Sequence, residues 1–439
     1  MDRTHDGLTT DDVRDAWAVL TLDERREGFA LLAREDASEF FLSLSARDQA
    51  DLLLEIWPGE RRAWIRLLPP DDAADLIQEA PEDHRDALLA LLDDSTRKEV
   101  VALLAYAEDD AGGLMNPRYA RLRPEMSVDE AISYLRRQTR ENMETIYYVY
   151  VLDPGQRLLG VVSFRDLFSA PPQKRVRDIM AQGVVTVPEE MDQEQVSQLF
   201  AQHNFLAMPV VDRDQRVVGI VTVDDIVDVV QEEATEDIQK LGGMAALGEP
   251  YLETSFIQMV RKRAGWLAAL FIGEMLTATA MAHYQDEIAR AVVLALFIPL
   301  IISSGGNSGS QASTLVVRAM ALGELKLRDW WRVVRRELAA GLALGAILAT
   351  IGLCRIAVWQ GLFQAYGIHW IPVAGTVALS LMGVVLLGTL AGSMLPMLLQ
   401  RLGVDPASAS APFVATLIDV SGLVIYFTVA HLLLRGTLL

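Results

Sequence analysis

Asp419 stands near the middle of the apolar stretch Ala411–Leu434, which is long enough to cross a hydrocarbon core of about 30 Å as a helix. A carboxylate at that depth costs on the order of 3 kcal/mol on insertion scales, so such residues face a bundle interior or a water-filled path. At helical spacing Pro412, Ala415, Gly422 and Tyr426 share its face, a strip of small residues ending in one ring. A second helix can approach along that strip and leave room for water beside the acid. The alternative is an aspartate paired with a neighbour's arginine or hydroxyl for structure alone. Arg355 is the one candidate basic partner inside another apolar stretch. Glu274 is a second acid in an apolar stretch, and three roles stay open for it: lining the same path, guarding its entrance, or pairing within the bundle.

A second polar concentration in apolar surroundings is PLIISSGGNSGSQ. Gly305, Gly306 and Gly309 leave backbone exposed, while Ser303, Ser304, Asn307, Ser308, Ser310 and Gln311 supply oxygens. The spacing of Gly305 and Gly309 also fits Gly-x-x-x-Gly helix packing. The polar density exceeds what packing needs and favours a pathway-lining or locally opened helix, with Gly305, Gly306, Asn307, Gly309 and Gln311 as its lining.

Carboxylates crowd two further places. Asp71, Asp72 and Asp75 stand at one helix start, where they serve either as caps and dipole compensation or as a cation site. The run from Asp224 to Asp237, DDIVDVVQEEATED, holds no base. On a continuous helix Asp225, Asp228 and Glu232 stack along one face, with Glu233, Glu236 and Asp237 nearby. Like charges so spaced destabilise an isolated helix. The run is either a solvated face or one neutralised by a hard cation or a basic partner.

The elements that must position these residues divide sharply by charge. The chain has 439 residues, 51% of them hydrophobic, and a net charge of −20. Residues 1–256 carry 51 acids against 26 bases, and the remainder carries 8 against 13. An acidic soluble half therefore precedes a membrane half. The acidity excludes nucleic acid as a partner, since phosphates need a basic surface, and favours cations. The only cysteine, Cys354, lies in an apolar run, and the six histidines form no paired ligand motif, which argues against a thiolate, zinc or copper site. The start MDRTHDGLTTDD has no apolar h-region, so the soluble half is expected in the cytoplasm.

Five apolar spans follow, at about 264–284, 290–320, 337–359, 371–399 and 411–434. Arg261, Lys262 and Arg263 precede the first, and Arg318, Lys326, Arg328, Arg332, Arg335 and Arg336 fall between the second and third. The positive-inside rule puts both clusters in the cytoplasm and, with an odd number of spans, the C-terminus outside an inner (plasma) membrane.

The soluble half contains two repeats. Phe40-Phe41, Leu52-Leu53, Trp64-Ile65, Leu76-Ile77, Leu88-Leu89 and Val100-Val101 recur every 12 residues, separated by turn signals. Short helices that cannot bury their faces alone must stack into an all-α solenoid. Farther on, VLDPGQRLLGVVSFRDLF (151–168) aligns with VVDRDQRVVGIVTVDDIV (210–227) at an offset of 59 residues, each copy reading strand, turn, strand, helix. These segments resemble tandem CBS domains. That family binds adenine nucleotides through Gly-x-x-Ser/Thr-x-x-Asp, matched by Gly160, Ser163 and Asp166 and by Gly219, Thr222 and Asp225. The hydroxyl and carboxylate are the groups that would hold a ribose.

The whole arrangement resembles the MgtE family of magnesium transporters over residues 20–439, most specifically in PLIISSGGNSGSQ and ATLIDVSGL. The resemblance implies a multidomain fold: an all-α helical solenoid, an α/β tandem CBS pair and a five-span α-helical transmembrane domain. Its parts would be a tail (1–20), the helical domain (21–112), CBS domains at 113–172 and 173–230, a connecting "plug" helix (231–263) and the transmembrane domain (264–439). It implies a homodimer in the bilayer that carries divalent cations and no enzyme activity. Mg²⁺ would be both cargo and regulator, with ATP or another adenine nucleotide as a further regulator. Asp419 would be the ion-binding acid of the pore with Ala415 beside it, and Asp71 and Asp75 would belong to regulatory Mg²⁺ sites. Asp225, Asp228, Glu233, Glu236 and Asp237 match acids at the CBS–plug junction. No Gly-x4-Gly-Lys-Ser/Thr occurs, so a bound nucleotide would regulate rather than power. The competing reading is a membrane-anchored CBS sensor or signalling scaffold without transport, which would not need Asp419 or the polar second span.

Overall fold

Capping residues cut the first hundred residues into short helices. They are α1 (Thr10–Ala16), α2 (Leu22–Leu31), α3 (Arg34–Leu42), α4 (Ala46–Glu55), α5 (Pro58–Ile65), α6 (Pro70–Glu79), α7 (Glu82–Leu89), α8 (Asp94–Leu103) and α9 (Ala111–Leu114). Thr9, Thr21, Ser45 and Asp93 accept from first-turn amides, and Pro58 and Pro70 occupy the first helical turn, where a missing N–H costs nothing. The repeating doublets form the core. Phe40, Phe41, Leu53, Ile65, Leu76, Ile77 and Val100 are fully buried, and the repeat ends at Val101, which is half exposed. This computed structural model describes residues 9–138, 143, 145, 147–248, 251–252 and 254–438; His5 and the start of the expected tail lie outside them. Contacts divide the chain into two units, Met1–Val230 and Gln231–Leu439.

The first unit continues into two copies of one motif. Copy one comprises β1 (Arg121–Leu122), α10 (Val128–Gln138), β2 (Tyr148–Leu152), β3 (Leu158–Ser163) and α11 (Phe164–Ser169). Copy two comprises β4 (Val187–Pro188), α12 (Gln193–His203), β5 (Ala207–Val211), β6 (Val217–Thr222) and α13 (Val223–Leu241). In each three-stranded sheet the first strand is parallel and the third antiparallel to the second. The 59-residue offset survives in the register: Tyr148 pairs with Ser163 as Ala207 pairs with Thr222. It survives in the turns too, where Asp153 and Asp212 accept backbone amides and Gln156 and Gln215 adopt φ of 67° and 64°.

The two glycines of the repeat are needed for close crossing. A Cβ on Gly160 would stand 2.6 Å from the Ala181 carbonyl oxygen, and one on Gly219 would stand 2.8 Å from Met115. The segment before each copy thus packs on the strand of the other. Backbone bonds join Ala111 and Gly112 to Met191 and Glu189, so α9 belongs physically with copy two.

Among the described residues, the second unit holds the rest of α13 from Gln231 and seven further α-helices. These are α14 (Phe256–His283), α15 (Gln285–Arg290), α16 (Val292–Ala295), α17 (Ile298–Ala321), α18 (Trp330–Phe363), α19 (Trp370–Arg401) and α20 (Ala411–Leu434). Five spans among the described residues, centred on α14, α17, α18, α19 and α20, are long and apolar enough to cross a bilayer. The helical pattern of the connection is interrupted at Gly242-Gly243 and Gly248 in the sequence, and the structure divides it there into two helices. α13 stops at Leu241, Gly243 takes φ of 75°, and Arg261–Arg263 already belong to α14.

Candidate ion path and cation-responsive sites

Three contacts at nearly constant register hold α14 parallel to α20. Trp266 Nε1 donates to Ser410 Oγ over 3.2 Å at one end, and Tyr284 stacks on Phe427 with ring centroids 4.6 Å apart at the other. Between them Gly273 lies against Thr416, so close that a Cβ would stand 2.8 Å from the threonine methyl. Ser410 also caps α20. This register brings Glu274, the residue after Gly273, near enough to Asp419 for the two carboxylates to repel. Two carboxylates so close repel unless a proton or a cation lies between them. The partner of Asp419 is therefore an acid. Arg355 lies over the rings of Phe297 and Trp359, at 5.9 and 5.6 Å from their centroids.

The strip on Asp419's own helix divides between two neighbours. Ala415 faces Gly306, whose Cβ position is 3.5 Å away. Gly422 instead lies against Val384 of α19, and the buried Tyr426 donates its hydroxyl to the Leu294 carbonyl over 2.9 Å. Gly422 and Tyr426 thus serve helix packing, the close approach of a second helix expected along this strip.

The second span is a continuous helix through its glycines, so the expectation of a locally opened helix does not hold. Gly305 and Gly309 meet Gly388 and Gly392 of α19. A Cβ on Gly388 would stand 2.3 Å from the Gly305 carbonyl oxygen, and one on Gly392 2.0 Å from that of Gly309. Only glycine allows backbones to approach this closely. The polar side chains have other work. Ser310 and Ser313 donate to the carbonyls of Ala411 and Ala409 at the start of α20. Ser303, Asn307, Gln311 and Thr314, at helical spacing, form an exposed polar stripe, in which Asn307 Nδ2 reaches Ser303 Oγ at 3.4 Å.

In the first unit, α6 brings its acids toward the start of α13. Asp71 is buried and accepts a hydrogen bond from Asn116 Nδ2 over 3.0 Å. Asp72 has its pKa raised by burial and by the charges of Asp224 and Asp228. Burial pushes Asp225 up to about 7, against the lowering effect of its bond from Thr222, with Asp224 and Asp72 adding to the rise. Asp228 is raised by burial and then by Asp224. Asp75 and Glu233 are half-buried on their helices. Among the described residues no three His, Cys, Asp or Glu side chains converge closely enough to hold a metal ion.

The second unit has its own charge cluster at the end of α13. Lys240 Nζ bonds Glu236 at 2.5 Å and Asp405, in the α19–α20 connection, at 2.6 Å. Burial pulls the lysine pKa down, but these bonds hold it above its ordinary value. Burial and then Asp405 raise Asp237.

The two Gly-x-x-Ser/Thr-x-x-Asp motifs form helix starts. Ser163 Oγ donates to Asp166 over 2.6 Å at α11, and Thr222 Oγ1 to Asp225 over 2.7 Å at α13. The first pair is accessible, whereas Thr222 is buried.

Sequence comparison supplies the family. Residues 8–109 match the MgtE intracellular N domain, 111–172 and 176–232 the CBS domain, and 298–429 the MgtE divalent cation transporter domain. The magnesium transporter MgtE of Thermus thermophilus is 44% identical over 371 residues, which cover 83% of this chain and 80% of that protein. Those of Enterococcus faecalis and Bacillus subtilis are 35% and 33% identical, over 77% and 82% of this chain and 72% and 77% of their own lengths. The chain belongs to the MgtE family of magnesium transporters. A solved cytosolic domain of the Mg²⁺ channel MgtE in complex with ATP is 43% identical, with a TM-score of 0.47, covering 50% of this chain and 90% of that one.

Two residues of this MgtE chain that matter to the geometry were passed over in the sequence. Gly273 has a readable signal, a small residue directly before the intramembrane acid Glu274. Asp405 has none, because its partner Lys240 is 165 residues away.

Proposed function

We propose that this MgtE chain passes Mg²⁺ inward through a path beside Asp419, as one half of a homodimer. The observation that carries the reading is the Glu274–Asp419 pair, on the same membrane unit as the exposed polar stripe of α17. A polar helix face is costly against lipid and is stable against water or a second copy. Mg²⁺ gives up water reluctantly and is held through a few carboxylates and retained waters, which suits one Asp419 per subunit and Asn307 and Gln311 as lining. The membrane potential contributes about 2.3 kcal/mol per charge per 100 mV, hence about 4.6 kcal/mol for a divalent ion. The soluble unit would lie in the cytoplasm and the C-terminus outside.

Regulation follows from the acids outside the membrane. Asp72, Asp224, Asp225 and Asp228 offer only hard oxygen donors, and burial, helped by the neighbouring acids, raises the proton affinity of Asp72, Asp225 and Asp228. Mg²⁺ is a hard ion that fits such donors, and Asp71, Asp75, Glu233, Glu236 and Asp237 would extend its sites. High cytosolic Mg²⁺ bound at these acids would then shut the path. The accessible Ser163–Asp166 pair would take the ribose of ATP or another adenine nucleotide, with Thr222–Asp225 as its counterpart in the second copy.

Mg²⁺ uptake into liposomes tests the central reading. Asp419→Ala should abolish Mg²⁺ flux in a protein that still assembles, and Asp419→Asn tests charge alone. Wild-type flux in purified, folded Asp419→Ala would overturn it. A scaffold without transport would show no flux in the wild type either.

A further inference from the structure

A groove of about 720 Å³ opens where the α17–α18 connection meets the end of α19 and the side of α20. Its volume lies in the ~300–1,000 Å³ range of small-molecule sites. It is long rather than round, since its α19 wall runs from Ala391 to Arg401, about 15 Å of helical rise. Met394, Leu398 and Leu417 make an apolar wall. At the other end stand Arg328, Arg401 and the indole of Trp330, all exposed. No acid lines the groove, and among the described residues neither guanidinium has an acidic partner.

An apolar channel along a membrane helix, closed at its end by two unpaired guanidiniums and an indole, has the polarity profile of one lipid molecule. Trp at the level of the headgroups and arginine beyond it is the arrangement expected at a membrane interface. Arginine matches phosphate oxygens with paired donors. We propose that this groove binds an anionic phospholipid, with its phosphate on Arg328 and Arg401 and an acyl chain along Met394 and Leu398 toward Leu417. A second copy of the chain is the competing occupant, and it would have to set an acid against each arginine.

The inference is independent of the transport reading, and its test measures binding rather than flux. Native mass spectrometry of the detergent-purified full chain, titrated with phosphatidylglycerol, should show one retained lipid per subunit in preference to phosphatidylcholine. At about fivefold per basic contact, Arg328→Gln with Arg401→Gln should weaken that adduct roughly twenty-five-fold. Leu398→Trp keeps both arginines but fills the groove, and should also lose the lipid. Equal retention of the two lipids, or an adduct unchanged in both variants, would overturn the proposal. So would a disulfide between copies formed by Leu398→Cys in a Cys354→Ser background, since a second copy would then cover the groove.

Discussion

Gly273 and Thr416 set the distance between the first and last membrane helices, because any side chain at Gly273 would meet the threonine methyl at 2.8 Å. Gly273→Ala should therefore push α14 from α20 at the level of Glu274 and Asp419, at a cost of about 1–3 kcal/mol for overpacking. Mg²⁺ flux should fall while the protein remains folded. Thr416→Ser removes the obstructing methyl and should restore flux in the double variant. Liposome uptake with all three proteins checks it, and wild-type flux in Gly273→Ala would show that the register is dispensable.

Glu274 offers a second handle on the same contact. Glu274→Gln keeps the length of the side chain but removes one of the two like charges. If both carboxylates attract the passing ion, half-saturation of Mg²⁺ uptake should move to higher Mg²⁺ in this variant. An unchanged concentration dependence would leave Glu274 a purely structural partner.

The cluster at α6 and α13 predicts a pH dependence of definite sign. The folded pKa of Asp225 is about 7 and those of Asp72 and Asp228 are raised, above the ~4 of an unfolded aspartate. Between those values the folded state binds more protons than the unfolded one, so stability falls as pH rises from about 4 to 7 and levels off above. Mg²⁺ should restore what is lost, most strongly at the alkaline end. Hydrogen exchange of α6 and the first turns of α13, at several pH values with and without Mg²⁺, measures it. Asp225→Asn should flatten the pH profile and blunt the Mg²⁺ effect.

Local patterns were legible because they rest on short-range chemistry. The 12-residue doublets became the buried core, and the 59-residue repeat became matching registers and turns, since caps and alternation act within a few residues. The cost of a charge in lipid marked Asp419 from its surroundings alone. What the sequence hid was partnership across the fold. Arg355 offered opposite charge but binds rings, while the true neighbour of Asp419 is another acid 145 residues away. The Gly-rich span reads as open backbone or as packing until the partner glycines of α19 are in place. On α6, Asp72 feels the charges of Asp224 and Asp228, which only the docking of α6 could reveal.

Lys240 is the cation that binds the end of α13 to the α19–α20 connection, from which the Asp419 helix starts. Removing it as Lys240→Met leaves Glu236, Asp237 and Asp405 together without compensation, in surroundings that already raise Asp237. A hydrogen bond to a charged partner contributes about 1.5–3 kcal/mol, so residues 231–241 should exchange amide hydrogen about tenfold faster or more. A divalent ion can replace the lost charge, so added Mg²⁺ should slow that exchange more in Lys240→Met than in the wild type. The swap Lys240→Glu with Asp405→Lys reverses the pair but sets the new glutamate beside Glu236, so it should recover only part of the protection. Hydrogen exchange on the intact chain reads all three, and protection unchanged in Lys240→Met would mean that the contact does not hold this end of the helix.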